Sequence, residues 1–544
     1  MTNLVPLYGH VDVPIGLRER LRDHISPTIT HVDPNGLERT VPCYWSGEEW
    51  YARVHATAQG SHRLRSDILG AIGEFEAGAP ENSSVLARSG PLVRDRDTRH
   101  TAHRDGTPFL WLGDTWWHGL GDRVTDGEFS ELARHRAAQG FNAVQIVAGL
   151  NVDVEVFSPL GASLAGWPWT EGFGDINHAW WQGADKRILA LVNAGLVPVI
   201  FGAWGYYLTW MSDEHMMAHW REIIARWSAL PVVWCVAGEV TLPYYPNPMR
   251  EVTSAEREEL RGRWLRIAEY VRDLDPYARL LTAHPAPASR DYATSETFPG
   301  TTMDTFDIDI LQTGHSGTHS LEWTRSVFDR AMRRGFTPVI NVEVNYEGIA
   351  GGSDDTVQRF LWWSHILAGA SGFTYGSQGL WGFEDETYQG LTGSWGRTQW
   401  RDAASRPGAS HLGAARNWLA GRDWAALVPM SDGVRCARNI VDSVRPCAAE
   451  LPSGELLMYL PALSLFAALD SLQTLSVSVR WSNYQYRITF IDPRTFTEEL
   501  GYEVTSDRWS TVSLKSGMLS AAPSMEDWLV VVAPRSDAGA YSDG

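Results

Sequence analysis

Cysteine is scarce. Cys43, Cys235, Cys436 and Cys447 are the only four in 544 residues, and they form no CxxC pair or zinc-like spacing. That argues against a disulfide scaffold and a thiolate metal site, and it reads as free, mostly buried thiols in a reducing compartment. No apolar run approaches membrane-spanning length, and the opening MTNLVPLYGHVDVPIGLRERLRD lacks a basic stretch followed by an apolar one. A cytoplasmic protein with no membrane partner is therefore expected. Clustered Lys and Arg are also missing: 46 basic residues stand against 65 acidic ones, and the formal charge of −19 would repel a polyanion, so no nucleic acid partner is expected. HxH and HExxH do not occur among the 17 histidines. His215 and His219 lie four apart on a helical stretch, but Met216 and Met217 beside them favour packing over zinc binding. Neither metal nor cofactor is expected, and no internal repeat or low-complexity segment is found.

What the chain does have is tryptophan, 26 of them. Many belong to a core, yet flat aromatic faces are also what sugar rings stack on while polar groups bond their hydroxyls. With 44% hydrophobic and 20% charged residues, a chain of this length forms one large unit with smaller flanking modules. Residues 1–105 read as short β-runs broken by Gly, Pro and Asp, such as Glu49 to Val54 before a turn at Ala58 to Ser61, and suggest a β-sandwich. From about 410 the β pattern returns in GELLMYLP, TLSVSVRW, YQYRITFIDP and WLVVVAP, which suggests a second sandwich over 409–544.

Residues 106–408 alternate apolar strand-like runs with amphipathic helical ones, the mark of a parallel sheet with crossover helices. Eight strands are predicted, at 109–115, 141–148, 196–204, 232–239, 278–285, 306–313, 337–343 and 371–377. Eight close a (β/α)8 TIM barrel, so the fold class is α/β. Thr125 to Glu128 is a capping box and Gly140 stands where a helix should end. Leu260, Trp264, Ile267 and Val271 form an inward helical stripe, as do Val357, Phe360, Leu361 and Ser364.

In such a barrel the active site forms at the C-terminal ends of the strands. Strand four ends on Glu239 after Gly238, and strand seven ends on Glu343. A glycosidase that retains configuration needs an acid beside the leaving oxygen and a carboxylate nucleophile about 5–5.5 Å away, so Glu239 is read as general acid/base and Glu343 as nucleophile. Surrounding aromatic rings would raise the pKa of one of them. Other strand ends supply candidate sugar-binding groups: Asp114, Trp116, Trp117 and His118 after strand one, Gln145 on strand two, Trp204, Tyr206 and Tyr207 after strand three and His284 on strand five. Gln312 and His315 follow on strand six, Tyr346 and Glu347 on strand seven, and Tyr375 and Trp381 on strand eight. Asp114 stands out, because a buried carboxylate needs a partner.

The runs FLWLGDTWWHG at 109–119, AAQGFNAVQIV at 137–147 and INVEVNYEGI at 340–349 resemble the apiosidase-like catalytic domain family, which is related to the clan A glycosidases. The resemblance spans about 107–380 and implies a (β/α)8 barrel with accessory β-domains. It also implies that Glu343 is the nucleophile, that Glu239 stands at the acid/base position, and that Asp114, Tyr346 and Glu347 belong to signature runs. Ala237-Gly238-Glu239 departs from the family's usual Asp after two Gly, and from the Asn before Glu of clan A, so the sugar does not transfer with the resemblance.

The expected function is a retaining glycoside hydrolase with a carbohydrate or glycoside substrate. A cytoplasmic setting favours exo action on short oligosaccharides or small glycosides, with the loop at 149–178 closing one end of the cleft. The resemblance suggests a furanoside such as an apiosyl, arabinofuranosyl or galactofuranosyl unit. Two other readings stand beside it: a non-catalytic glycan-binding barrel, and a metal-dependent barrel hydrolase using His118, His284 and His315. A homo-oligomer stays open.

Overall fold

A computed structural model describes residues 4–17, 26–66, 70–94, 98–242, 253–286, 291–300, 305–314, 319–335, 338–349, 353–388, 396–430, 433–435, 445–462, 476–513 and 526–535. At its centre are eight parallel strands: β1 Trp111–Thr115, β2 Ala143–Val147, β3 Val197–Phe201, β4 Val233–Cys235, β5 Leu281–Thr282, β6 Asp309–Gln312, β7 Val339–Glu343 and β8 Gly372–Tyr375. Their order runs from β5 back through β1 to β8, β7 and β6. The remaining seam between β5 and β6 is bridged by the Asp307 amide on Leu281 O at 2.8 Å and by the Thr282 hydroxyl on Ile308 O at 2.8 Å. Every residue of these eight strands is buried, as expected for a sheet covered on both faces. All eight predicted strands are present, in a (β/α)8 fold.

The covering helices are α1 Asp126–Gln139, α2 His178–Asn193, α3 Asp213–Trp227, α4 Ser254–Leu274, α5 His319–Arg333, α6 Asp355–Ile366 and α7 Pro407–Ala420. Local chemistry sets their ends. Thr125 and Glu128 form a reciprocal capping box at the start of α1, and Gly140 ends it in the left-handed region. Thr253 and Glu256 do the same for α4, whose Leu260, Trp264, Ile267 and Val271 are buried. Because α7 packs on α6 and α1, the helical layer continues beyond residue 408.

The N-terminal residues form a five-stranded and a three-stranded sheet around a separate core that includes Ile29, Val41, Val54 and Phe75. This sandwich docks through Arg53, which is held by Asp12 at 2.7 Å and donates to Arg226 O of α3 at 2.7 Å. The C-terminal residues form a six-stranded and a three-stranded sheet, beginning at Val428. They are tied to α6 by a bidentate pair from Arg359 to Asp527, at 2.7 and 2.8 Å, and Tyr459 also donates to Asp527. Cys43, Cys235 and Cys447 are buried free thiols, while Cys436 lies outside the described residues. No described helix is long and apolar enough to cross a membrane.

Candidate active site

After β4 the chain runs through Val236, Ala237 and Gly238 to Glu239. Gly238 pairs with Trp204 in a short parallel bridge, and its amide bonds Ala203 O at 2.9 Å. A Cβ on Gly238 would come within 2.3 Å of the Trp204 ring, so the glycine is there to let that ring lie against the backbone. Trp204 uses the closeness: its Nε1 donates to Glu239 Oε2 at 3.1 Å, while Gln312 Nε2 donates to Oε1 at 2.9 Å. Glu239 itself has φ of 45°, a left-handed conformation that costs a non-glycine residue about 1–3 kcal/mol and that clusters at functional sites.

Across the mouth, Glu343 ends β7. Both carboxylates are nearly buried, with 9% and 5% exposure. His284 touches both: Glu239 N donates to its Nδ1 at 3.3 Å, and its Nε2 lies 3.1 Å from Glu343 Oε2. Tyr346 completes the group. It is buried, its hydroxyl contacts the side chains of Thr115 and Trp117, and burial and then the Glu343 charge push its phenol well up. Its ring lies where a Cβ on Gly376 would fall, 2.1 Å away.

Burial first, and then the negative charge of Glu343, raise the Glu239 carboxyl from its ordinary value to about 8; the bonds from Gln312 and Trp204 only partly oppose this. At neutral pH Glu239 therefore holds a proton. The arrangement is one protonated carboxyl and a second carboxyl close enough to interact with it, with the Trp204 and Tyr346 rings beside them.

Of the candidate binding groups, Trp204, His284, Gln312 and Tyr346 gather around the two Glu. Gln145 is fully buried inside the barrel and donates to Val342 O at 3.2 Å. His118 and Trp381 meet at the rim, where the His118 amide donates to Trp381 O. His315 lies outside the described residues.

Four expectations give way. Asp114 has no exposed surface, and its partner is Arg136 of α1 at 2.7 Å rather than a sugar; Trp116 Nε1 donates to the same carboxylate at 2.9 Å. Tyr375, which pairs with Asp114 across the β1–β8 ladder, donates to Glu347 Oε2 at 2.6 Å, and Glu347 Oε1 accepts from Gly408 N at the start of α7. The reason is the two-residue period of strands: Asp114 and Tyr375 face the helices, not the mouth. Together Asp114, Trp116, Tyr375 and Glu347 make a buried polar network between the barrel and α1 and α7. His219 is likewise spent in packing, accepting from Trp169 Nε1 at 3.1 Å and bonding Gly202 O at 2.9 Å.

A model of the apiosidase-like catalytic domain matches residues 95–426, more than half of the chain. The chain belongs to the apiosidase-like family. No curated protein matches it. Among solved structures, a glycoside hydrolase family 5 protein from Bacteroides vulgatus is similar at 20% identity and a TM-score of 0.66, covering 82% of this chain and 93% of that one. A putative glycoside hydrolase from the same organism is similar at 16% identity and a TM-score of 0.65, covering 98% and 100% of the two chains. A further structure described as a glycoside hydrolase matches at 19% identity and a TM-score of 0.65, with 82% and 98% covered. The apiosidase-like domain thus has the fold of glycoside hydrolases along with its flanking β-domains.

Of two further residues of this apiosidase-like site, Trp117 was among the sequence candidates and Asp153 was not. Trp117 packs between Phe201 and Trp204, with ring centroids 4.7 and 5.3 Å away. Strand alternation puts it opposite to Trp116, and that was the signal available in the sequence. Asp153, in the left-handed region at φ 59°, adds its charge to those that raise Glu239. Its turn is clasped by Tyr206, whose hydroxyl donates to Asn151 O and Val154 O at 2.9 and 3.2 Å. Nothing local in the sequence marks that turn.

Proposed function

We propose that this apiosidase-like protein is a retaining glycoside hydrolase, with Glu239 as general acid/base and Glu343 as nucleophile. The observation that carries this reading is the state of Glu239, which is kept protonated by burial and by the charge of Glu343. In the first step Glu343 attacks the anomeric carbon as Glu239 gives its proton to the departing glycosidic oxygen. A covalent glycosyl-enzyme forms, and Glu239 is left as a carboxylate. In the second step that carboxylate takes a proton from water, which attacks the same carbon and releases Glu343.

The loop between β2 and α2 supports exo action on short oligosaccharides or small glycosides. It is packed rather than open: Trp167 Nε1 bonds Ser158 O at 3.1 Å, and Trp169 is buried against His219. In this reading the packed loop walls one side of the mouth. Family membership supports a furanoside, of which apiosyl, arabinofuranosyl and galactofuranosyl units are the first to try.

The test is a panel of aryl pyranosides and furanosides offered to the wild type, Glu239→Ala and Glu343→Ala. Anomeric protons are followed by NMR, and azide is added to each. Both variants should lose at least about a thousandfold in rate, with azide restoring turnover in opposite anomeric senses. Near-normal rates in either variant reject the assignment.

A further inference from the structure

His284 has no exposed surface and sits at the end of β5, between the two carboxyl-bearing segments. Its backbone is tied to the acid/base loop on both sides, by its own amide on Ala237 O at 3.1 Å and by the Val240 amide on its carbonyl at 3.2 Å. Phe201, Trp204 and Trp117 surround the ring, with centroids 5.6, 6.1 and 6.3 Å away. Rotation is blocked, so each ring nitrogen has one neighbour. Nδ1 accepts from the Glu239 amide at 3.3 Å, and Nε2 lies 3.1 Å from Glu343 Oε2, within charge contact but out of line for a hydrogen bond.

An amide N–H can bond only to a lone pair, so Nδ1 is unprotonated. A neutral imidazole then carries its proton on Nε2, the nitrogen beside Glu343. An imidazolium would set a second donor against the Glu239 amide. We propose that His284 is a positioning residue that divides the two roles: Nδ1 clamps the left-handed turn that presents Glu239, and the Nε2 proton holds the Glu343 carboxylate ready as nucleophile. This rests on the catalytic reading of Glu239 and Glu343. The other titratable groups facing the trio are Tyr346 from the segment after β7, Asp153 from the loop after β2 and the Cys235 thiol at the end of β4. None of them offers both an acceptor for the Glu239 amide and an N–H for Glu343.

Two amide side chains separate the halves of the role. In His284→Asn, Oδ1 falls near the place of Nδ1 and keeps the clamp, but nothing reaches Glu343. In His284→Gln, the terminal NH2 falls near the place of Nε2 and keeps the N–H, while the clamp is lost. The readout that needs no substrate is carbon-13 NMR of protein labelled at the Glu side-chain carboxyls, with the two signals assigned by their loss in Glu239→Gln and Glu343→Gln. His284→Asn should raise the Glu343 titration by about one pH unit or more, because the carboxylate loses the positive end of the N–H dipole beside it. His284→Gln should leave it near the wild-type position.

On the aryl glycoside found by the panel, His284→Asn should move the acid limb of kcat/KM upward by the same interval. His284→Gln should instead lower kcat at least about tenfold with little change in that limb. Glu343 titrating alike in wild type and His284→Asn, or both variants behaving like His284→Leu, overturns the proposal. If no glycoside is turned over, the glycosidase reading fails, while the NMR titration still decides the role of His284.

Discussion

Replacing Glu239 by Gln should make the protein more stable, and increasingly so as pH rises. The folded protein keeps the Glu239 proton up to about pH 8, whereas the ordinary value for the group is 4.5. Between those values the folded state binds more protons than the unfolded chain, so the wild type loses stability as pH rises through the interval. Each pH step of one carries about 1.4 kcal/mol, which makes the loss roughly 3 kcal/mol at pH 7 and roughly 4 kcal/mol at pH 8, above which it levels off. Gln has no proton to lose. It also fits the same partners: it accepts from Trp204 Nε1, and the Gln312 amide can turn to offer Oε1, which is buried without a partner, to the new NH2. If the barrel melts as a unit of about 300 residues, an unfolding entropy of about 2 cal/mol/K per residue converts 3 kcal/mol into about 5 °C. Calorimetric melts of both proteins at pH 5 and pH 8 measure it. A Tm difference that is the same at the two pH values, or a variant less stable than wild type at pH 8, would refute the claim that Glu239 is buried as an acid.

The same proton sets the alkaline limb of activity: kcat/KM should fall as pH rises through about 8, where Glu239 ionises in the free enzyme, as a pH profile on any accepted glycoside would show. Gly238→Ala places a Cβ against the Trp204 ring and should displace the Nε1 donor from Glu239, lowering kcat at least about tenfold; full activity would remove the reason given for the glycine. Arg136→Met strands the Asp114 carboxylate with no exposed surface, and should cost about 3–5 kcal/mol in denaturant unfolding while KM stays unchanged. Asp527→Ala leaves Arg359 buried without its bidentate partner, and should lower the melting temperature with no effect on the pH profile.

The eight strands were legible because each is a short apolar run between turn signals. Capping residues such as Thr125 and Gly140 marked helix ends through contacts only a few residues long. Glu239 and Glu343 could be singled out because a barrel's topology alone sends the ends of strands four and seven to one mouth. The neighbours were harder. Asp114 and Tyr346 look alike as polar residues near strand ends, but one faces Arg136 and the helices while the other faces Glu343.

Periodicity and caps are properties of a few adjacent residues, so the sequence by itself determined the barrel, its flanking sandwiches and the two carboxyl positions. Which acidic group would stay protonated was decided only by the tertiary structure. The pKa of a carboxyl depends on burial and on charges and hydrogen-bond donors brought from far along the chain, here the charges of Glu343 and Asp153 and the donors Gln312 and Trp204 around Glu239. The same holds for His284, an unremarkable histidine at a strand end until folding sets one ring nitrogen on the Glu239 amide and the other beside Glu343.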